Sequence, residues 1–152
     1  MVADLFLKVW ERHHRNHPFP LHPDAKQSLE KLAGRYILFM LTSRGGSIYH
    51  ELEHHGIRPL FTEVCTLLDC EQPKPHPLSM NRLIAACEVQ RISSEHVTLI
   101  GDSAIQDWEL ARRTGFRFYA VTWGYSRRKD FRNLPADQVC DSFSELVAKF
   151  FQ

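Results

Sequence analysis

Three stretches of the chain place hydroxyl or charged side chains where chemistry is possible. The first is Thr42-Ser43-Arg44-Gly45-Gly46, directly after the apolar run Tyr36–Leu41. Hydroxyls and free backbone N–H groups at a strand-to-helix turn suit an anion such as phosphate. The same residue types also simply make turns. The second is Gln72-Pro73-Lys74-Pro75-His76-Pro77. Two prolines stiffen the chain around one lysine just before a helix start, which fixes an ammonium where an anion can be met. A proline-rich loop with a solvated lysine accounts for the same residues. The third is Gly101-Asp102-Ser103-Ala104-Ile105-Gln106-Asp107, after the apolar run Val97–Ile100. A carboxylate at the end of a buried strand is costly unless it is paired or metal-bound. On a continuous helix Asp107 lies about 140° round from Asp102. With Asp102 ending a strand and Asp107 in the first helical turn, however, both can face one site. Two hard oxygen ligands suit Mg²⁺, which keeps waters and a substrate phosphate as its other ligands. The alternative is that Asp102 caps the helix and Asp107 complements its dipole.

These stretches need elements to position them, and the pattern supplies an alternation of short apolar runs with helical periodicity. That rhythm predicts an α/β domain with a parallel sheet, in which ligands bind at the carboxyl ends of the strands. The predicted strands are Tyr36–Leu41, Phe61–Leu68, Val97–Ile100 and Phe116–Val121. Leu5, Phe6, Val9 and Trp10 share one face of a first helix. Asp24 is placed to cap a second, which Gly34 stops. A third helix spans about Ser47–His55 before Gly56. Pro77 suits the first turn of a fourth, which buries Met80, Leu83, Ile84 and Cys87. In the next helix Ile105, Trp108 and Ala111 are expected to face inward before Gly115. Ser142 and Glu145 form a capping box for the last, which buries Phe143, Leu146, Val147 and Phe150.

The 152 residues make one ordinary domain, and 43% apolar with 24% charged residues is enough for a packed core. Nineteen basic against eighteen acidic residues give a formal charge of +1, so there is no general pull toward nucleic acid or anionic membrane. No apolar run is long enough to span a bilayer. Met1–Trp10 carries Asp4 and Lys8 and does not read as a signal peptide. Cys65, Cys70, Cys87 and Cys140 form no C-x-x-C pair and read as reduced thiols of a cytoplasmic protein. Nine histidines follow no single ligand pattern. The cluster His13, His14 and His17, and the i, i+4 pair His50 and His54, have spacings that can bind zinc, but solvated histidines are much commoner. His76 either touches substrate or is a plain loop histidine. Arg127-Arg128-Lys129 reads as a solvated charge run or as the recognition element for an anionic tail. Trp123 and Tyr125 either line a site rim or pack their loop.

The order strand-Thr42-Ser43, then Lys74-Pro75, then strand-Gly101-Asp102-Ser103 with Asp107 resembles motifs two, three and four of the haloacid dehalogenase superfamily. The phosphoglycolate-phosphatase-like branch is the nearest match. Ala111-Arg112-Arg113-Thr114-Gly115 and Ala120-Val121-Thr122-Trp123-Gly124-Tyr125 extend the likeness. The resemblance implies a Rossmann-like three-layer α/β/α core over residues 21–152, with a residual cap-type helix and linker at 1–20. It implies that Thr42 and Ser43 bind a substrate phosphate. Lys74 would hold that phosphate and stabilise charge during phosphoryl transfer, while Asp102 and Asp107 would serve a Mg²⁺ ion. The substrate would be a small phosphorylated metabolite.

The family's first motif, D-x-D-x-[T/V], supplies the nucleophilic aspartate and a general acid/base. No D-x-D occurs in this sequence. Asp4 has no second carboxylate two residues on, and Asp69-Cys70-Glu71 falls directly before the Lys74 stretch, in the wrong place. The chain resembles a family member lacking the first, central strand and most of the cap. Two functions compete: a phosphomonoester phosphatase type inactive as this isolated chain, and a non-catalytic phosphate-binding or protein-interaction module. Without the central strand, the strands before Thr42 and Gly101 are expected to pair directly or to recruit a substitute. The apolar face of the first helix is expected to mediate self-association.

Overall fold

A parallel strand covered on both faces reads as an unbroken apolar run, and every such run in this chain contributes strand residues. The computed structural model describes the backbone of residues 2–151 and the side chains of residues 8–151. It resolves into two compact units, Met1–Asp69 and Cys70–Gln152.

The first unit holds α1 (Val2–Asn16), α2 (Ala25–Ala33), β1 (Phe39–Leu41), α3 (Ser47–His54) and β2 (Glu63–Cys65). β1 and β2 pair in parallel, with Phe39 opposite Glu63 and Leu41 opposite Cys65. Both are shorter than the runs that announce them. β1 has a ladder partner on one edge only, and Tyr36 N–H bonds back to Leu32 O at 2.8 Å, closing the turn after α2 instead of joining the sheet; Tyr36 and Ile37 stand 36% and 47% exposed. β2 stops where the N–H and hydroxyl of Thr66 both donate to Asp69 Oδ2, at 2.9 and 2.7 Å, and fold the chain into a turn. Beneath the strands Ile48, Leu52, Ile57, Phe61 and Val64 form the core. α3 ends in a Schellman motif. Gly56 takes φ +66°, its N–H bonds Glu53 O, and Ile57 N–H bonds Leu52 O at 2.9 Å. Asp24 does not cap α2 with its side chain. Its backbone is already helical, because Ala25 N–H closes a turn onto His22 O. Along α1, the side chains of Leu5 and Phe6 lie outside the described residues, Val9 and Trp10 are exposed, and His14 is buried with its ring stacked on Phe19.

The second unit holds α4 (Asn81–Val89), β3 (Thr98–Gly101), α5 (Glu109–Thr114), β4 (Arg117–Val121), β5 (Val139–Cys140) and α6 (Phe143–Ala148). Its sheet runs β3-β4-β5, all parallel, with Leu99 opposite Phe118, Gly101 opposite Ala120 and Val121 opposite Cys140. Phe118, Ala120, Phe131 and Ala111 pack the centre, all at most 1% exposed. α5 ends at Gly115 with φ +73°, as its position predicts. Ser142 caps α6 by accepting from Glu145 N–H, while the Glu145 carboxylate returns to Asp141 N–H rather than to Ser142. β5 is unanticipated, since two residues carry no periodicity.

Further expectations need correction: Leu83 and Cys87 of α4 are buried, but Ile84 is not and stands 38% exposed. The strands before Thr42 and Gly101 do not pair directly. Among the described strands β1 bonds only β2, and β3 bonds only β4, so each keeps one open edge. Ile105 does not face inward but is 66% exposed. Residues Ala104–Trp108 form a π-type turn, with Trp108 N–H reaching back to Ser103 O at 3.0 Å. The wider turn shifts the helical phase, keeping Trp108 and Ala111 against the core and turning Ile105 out. Among the described residues no helix is long and apolar enough to cross a membrane, and no disulfide joins the cysteines.

Candidate functional site

The second unit pairs Lys74 with Asp107 and sets Asp102 next in sequence to Ser103, whose N–H holds Asp107. Lys74 lies in the loop between Pro73 and a cis Pro75. Its Nζ donates to Asp107 Oδ1 at 2.6 Å, and the two side chains are only 11% and 14% exposed. The other oxygen of Asp107 accepts from Ser103 N–H at 3.0 Å. Asp102, one residue past β3, accepts from Tyr125 N–H through Oδ2 at 2.7 Å. Its carbonyl accepts from Ser126 N–H at 2.9 Å, and Ser126 Oγ accepts from Ala104 N–H at 3.1 Å. The chain at 124–126 thus stitches the strand-to-turn junction at Asp102 from the side. Ser103, not Asp102, caps the turn, since its hydroxyl accepts from Gln106 N–H at 3.2 Å. Asp102 is therefore released from the capping role that the sequence left open.

Two glycines make room for these carboxylates. A Cβ at Gly124 would overlap the Asp102 carboxylate, and one at Gly101 would lie 2.6 Å from Asp107 Cγ. Gly124, Ser103 and Ser126 escaped the sequence reading as site residues. The available signal is Gly124 three residues past the end of the fourth predicted strand, where a parallel strand delivers its loop to the ligand end of the sheet. A cleft of about 570 Å³ adjoins this loop, lined by Ala104, Ile105, Tyr125, Ser126, Lys129, Asp130 and Arg132.

The donor set suits a hard cation. Among the described residues no donor meets Asp102 Oδ1, whereas Oδ2 and both oxygens of Asp107 are engaged. Among the described residues no group of three or more histidine, cysteine or acidic side chains converges on one point. The residues thus fit a magnesium ion held by one or two carboxylates and completed by water and phosphate. They do not fit an all-protein cage or a histidine zinc site.

Thr42 and Ser43 belong to the first unit and open its strand-to-helix turn. Thr42 N–H continues the β ladder to Cys65 O at 2.9 Å, and Thr42 Oγ1 accepts from Arg44 N–H at 3.2 Å. Arg44 clamps Glu51 in a two-pronged ion pair, with Nη1 to Oε2 at 2.6 Å. At the start of α3, Ser47 N–H donates to the Glu11 carboxylate. Glu11 also escaped the sequence reading.

The remaining candidates are structural. His76 Nδ1 accepts from Leu78 N–H at 3.2 Å and so caps the 3₁₀ turn Pro77–Met80. Arg128 pairs with Asp141 at 2.9 Å, and this bond holds the Asp141 carboxyl below its usual range and the guanidinium above its own. Burial pushes the Cys87 and Cys140 thiols up, which keeps them protonated and inert.

Comparison with known proteins gives the chain's family and fold. The profile of the haloacid dehalogenase-like hydrolases matches residues 1–121. A phosphoglycolate phosphatase of Aliivibrio fischeri is 30% identical over 130 residues, 84% of this chain and 56% of that protein. A phosphoglycolate phosphatase of Vibrio cholerae is also 30% identical over 130 residues, 84% of this chain and 55% of its own length. The chain thus spans about half the length of the curated relatives it matches. Among solved structures, one described as a predicted phosphoglycolate phosphatase from Haemophilus somnus superposes with a TM-score of 0.69 at 27% identity, over 88% of this chain and 58% of that one. A phosphatase from Thermococcus onnurineus shares the fold, with a TM-score of 0.75 at 24% identity over 95% of this chain and 64% of that one. With strands, turn and carboxylates in the family's order and the profile covering most of its length, the chain belongs to the haloacid dehalogenase-like hydrolases.

Proposed function

We propose that this chain carries the phosphate-side and metal-side residues of a magnesium-dependent phosphomonoester phosphatase centre that takes a small phosphorylated metabolite. The observation that carries the reading is the largely buried Lys74–Asp107 pair, in the segment that follows Asp102 at the carboxyl end of a parallel strand. Asp102 and Asp107 would hold Mg²⁺, whose charge would neutralise phosphate oxygens. Lys74 would share its ammonium between Asp107 and the phosphate, stabilising charge that develops on it. Tyr125 N–H fixes the Asp102 carboxylate, and Ser103 N–H fixes that of Asp107. Thr42, Ser43 and the α3 N-terminus would offer N–H and hydroxyl donors to an anion.

With no D-x-D in the sequence, these residues bind and orient but do not supply the nucleophile of an aspartyl-phosphate. That same observation favours a second reading, a non-catalytic phosphate-binding or interaction module. We expect no p-nitrophenyl phosphate hydrolysis by the purified chain, with or without Mg²⁺. Calorimetric Mg²⁺ binding in the presence of phosphate should be present in wild type and lost in Asp102→Asn. Metal-dependent turnover that disappears in Asp102→Asn would show that a nucleophile is present, and no metal binding in wild type would remove the phosphatase-centre reading.

The exposed Val9 and Trp10 of α1 support self-association through this helix. A sedimentation coefficient that stays monomeric at every concentration would count against it. Cysteines without disulfides are in keeping with a cytoplasmic protein.

A further inference from the structure

The strand-to-helix turn of the first unit already holds an anion of its own. Ser47 N–H, at the start of α3, donates to Glu11 Oε2, and the other Glu11 oxygen lies against Gly45, where any Cβ would overlap it. Glu11 comes from α1, thirty-six residues away. One carboxylate does not satisfy the donors gathered there. Ser47 is 1% exposed, and its hydroxyl has no partner among the described residues. Arg44 Nε is likewise buried without a partner, while the outer nitrogens of the same guanidinium hold Glu51. A buried hydroxyl and a buried guanidinium N–H left unsatisfied beside an occupied helix N-terminus mark a cradle wider than its occupant.

We propose that Glu11 is a built-in, displaceable occupant of this turn: a tetrahedral oxyanion such as phosphate competes with its carboxylate for Ser47 N–H, and α1 is released when the anion binds. This rests on reading the 42–47 turn as an anion site. A phosphate brings more acceptor oxygens than a carboxylate and can meet Ser47 Oγ and Arg44 Nε as well as Ser47 N–H. Besides Glu11, the described side chains of α1 include an aromatic tie. His14 stacks on Phe19 at 4.3 Å between ring centroids, and the Arg44 guanidinium sits 5.0 Å over the same ring. The His14 ring nitrogens themselves have no partner among the described residues. Arg44 therefore touches both sides of the switch: its N–H bonds Thr42 Oγ1 within the turn, and its guanidinium steadies Phe19, on which His14 of α1 stacks.

The test is an amide-resolved NMR titration of the full chain with inorganic phosphate, on wild type, Glu11→Gln and Glu11→Ala. The Gly45, Gly46 and Ser47 amides should shift in all three. If Glu11 leaves the turn about a tenth of the time, its removal should tighten apparent phosphate affinity about tenfold. Glu11→Gln, which keeps the shape without the charge, should fall between the two. Phosphate should also lower the hydrogen-exchange protection of α1 in wild type. Equal affinity in all three proteins, with the 45–47 amides shifting, would overturn the role of Glu11 and leave the anion reading of the turn standing. No shift at 45–47 in any of them, with α3 still protected, would overturn both.

Discussion

Replacing Lys74 by methionine isolates the Asp107 carboxylate. At 2.6 Å the bare attraction of the pair, with an effective dielectric of about 20, is about 6 kcal/mol. Desolvation of both groups offsets most of this, because only 11% and 14% of the two side chains remain in water. Removing one partner of a fully buried pair costs about 3–5 kcal/mol. Asp107 keeps its bond from Ser103 N–H and some water, so the expected cost of Lys74→Met is smaller, about 2–3 kcal/mol. For a chain of this size that is a fall in melting temperature of about 4–12 °C. The double variant Lys74→Met/Asp107→Asn removes both charges and should recover about half the loss or more. Calorimetric melting of the four proteins of the cycle reads the coupling directly. A single-variant cost below about 0.5 kcal/mol would mean that the pair behaves as a solvated surface contact, and the electrostatic account of this centre would be wrong.

Two further expectations follow from the same geometry. Gly124→Ala must move the Asp102 carboxylate or the loop, because the added methyl overlaps it; it should cost about 1–3 kcal/mol in urea unfolding. Gly46→Ala, which meets nothing within 4 Å, should stay within about 0.5 kcal/mol, and equal effects would refute the steric argument. The Glu109 carboxyl is pulled from 4.5 to about 2 by its hydrogen bonds from Arg112 and Arg113. A depressed carboxyl stabilises the fold above its ordinary value and loses that contribution as pH falls from 4.5 toward 2. A side-chain carbon titration by NMR should find that midpoint low, and the pair Arg112→Gln/Arg113→Gln should return it toward 4.5.

Sequence and structure agree where the signal is local. Val97–Ile100 and Phe116–Val121 become β3 and β4 within a residue at each end, because both are β-branched, aromatic and apolar apart from Thr98 and Arg117 and are ended by glycine or turn residues. Gly56 and Gly115 stop their helices with positive φ, and Pro77 opens the turn before α4. Lys74, Asp102 and Asp107 stand out through the order of their stretches and the resemblance that order carries, while the ion pair between Lys74 and Asp107 has no signal in the sequence. What was hidden is nonlocal or subtle. Glu11 meets Ser47 across thirty-six residues, and Tyr125 meets Asp102 across twenty-three, separations that no periodicity encodes. Tyr36 and Ile37 read as buried strand because composition records what a run prefers, not whether both edges of the strand are paired. Ile105 was assigned to the wrong face because the reading assumed one helical pitch throughout.

The π-type turn at Ala104–Trp108 acts as a one-residue expansion joint. Its surplus residue lets Asp107 be set by the Lys74 and Ser103 side while Ala111 is set independently by the Phe118 side. Deleting a residue there would tighten the turn to ordinary pitch and rotate everything upstream against everything downstream by about 100°. Length variation at this point would retune the carboxylate without repacking the interior, whereas the same deletion inside α5 would have to be absorbed by the core itself.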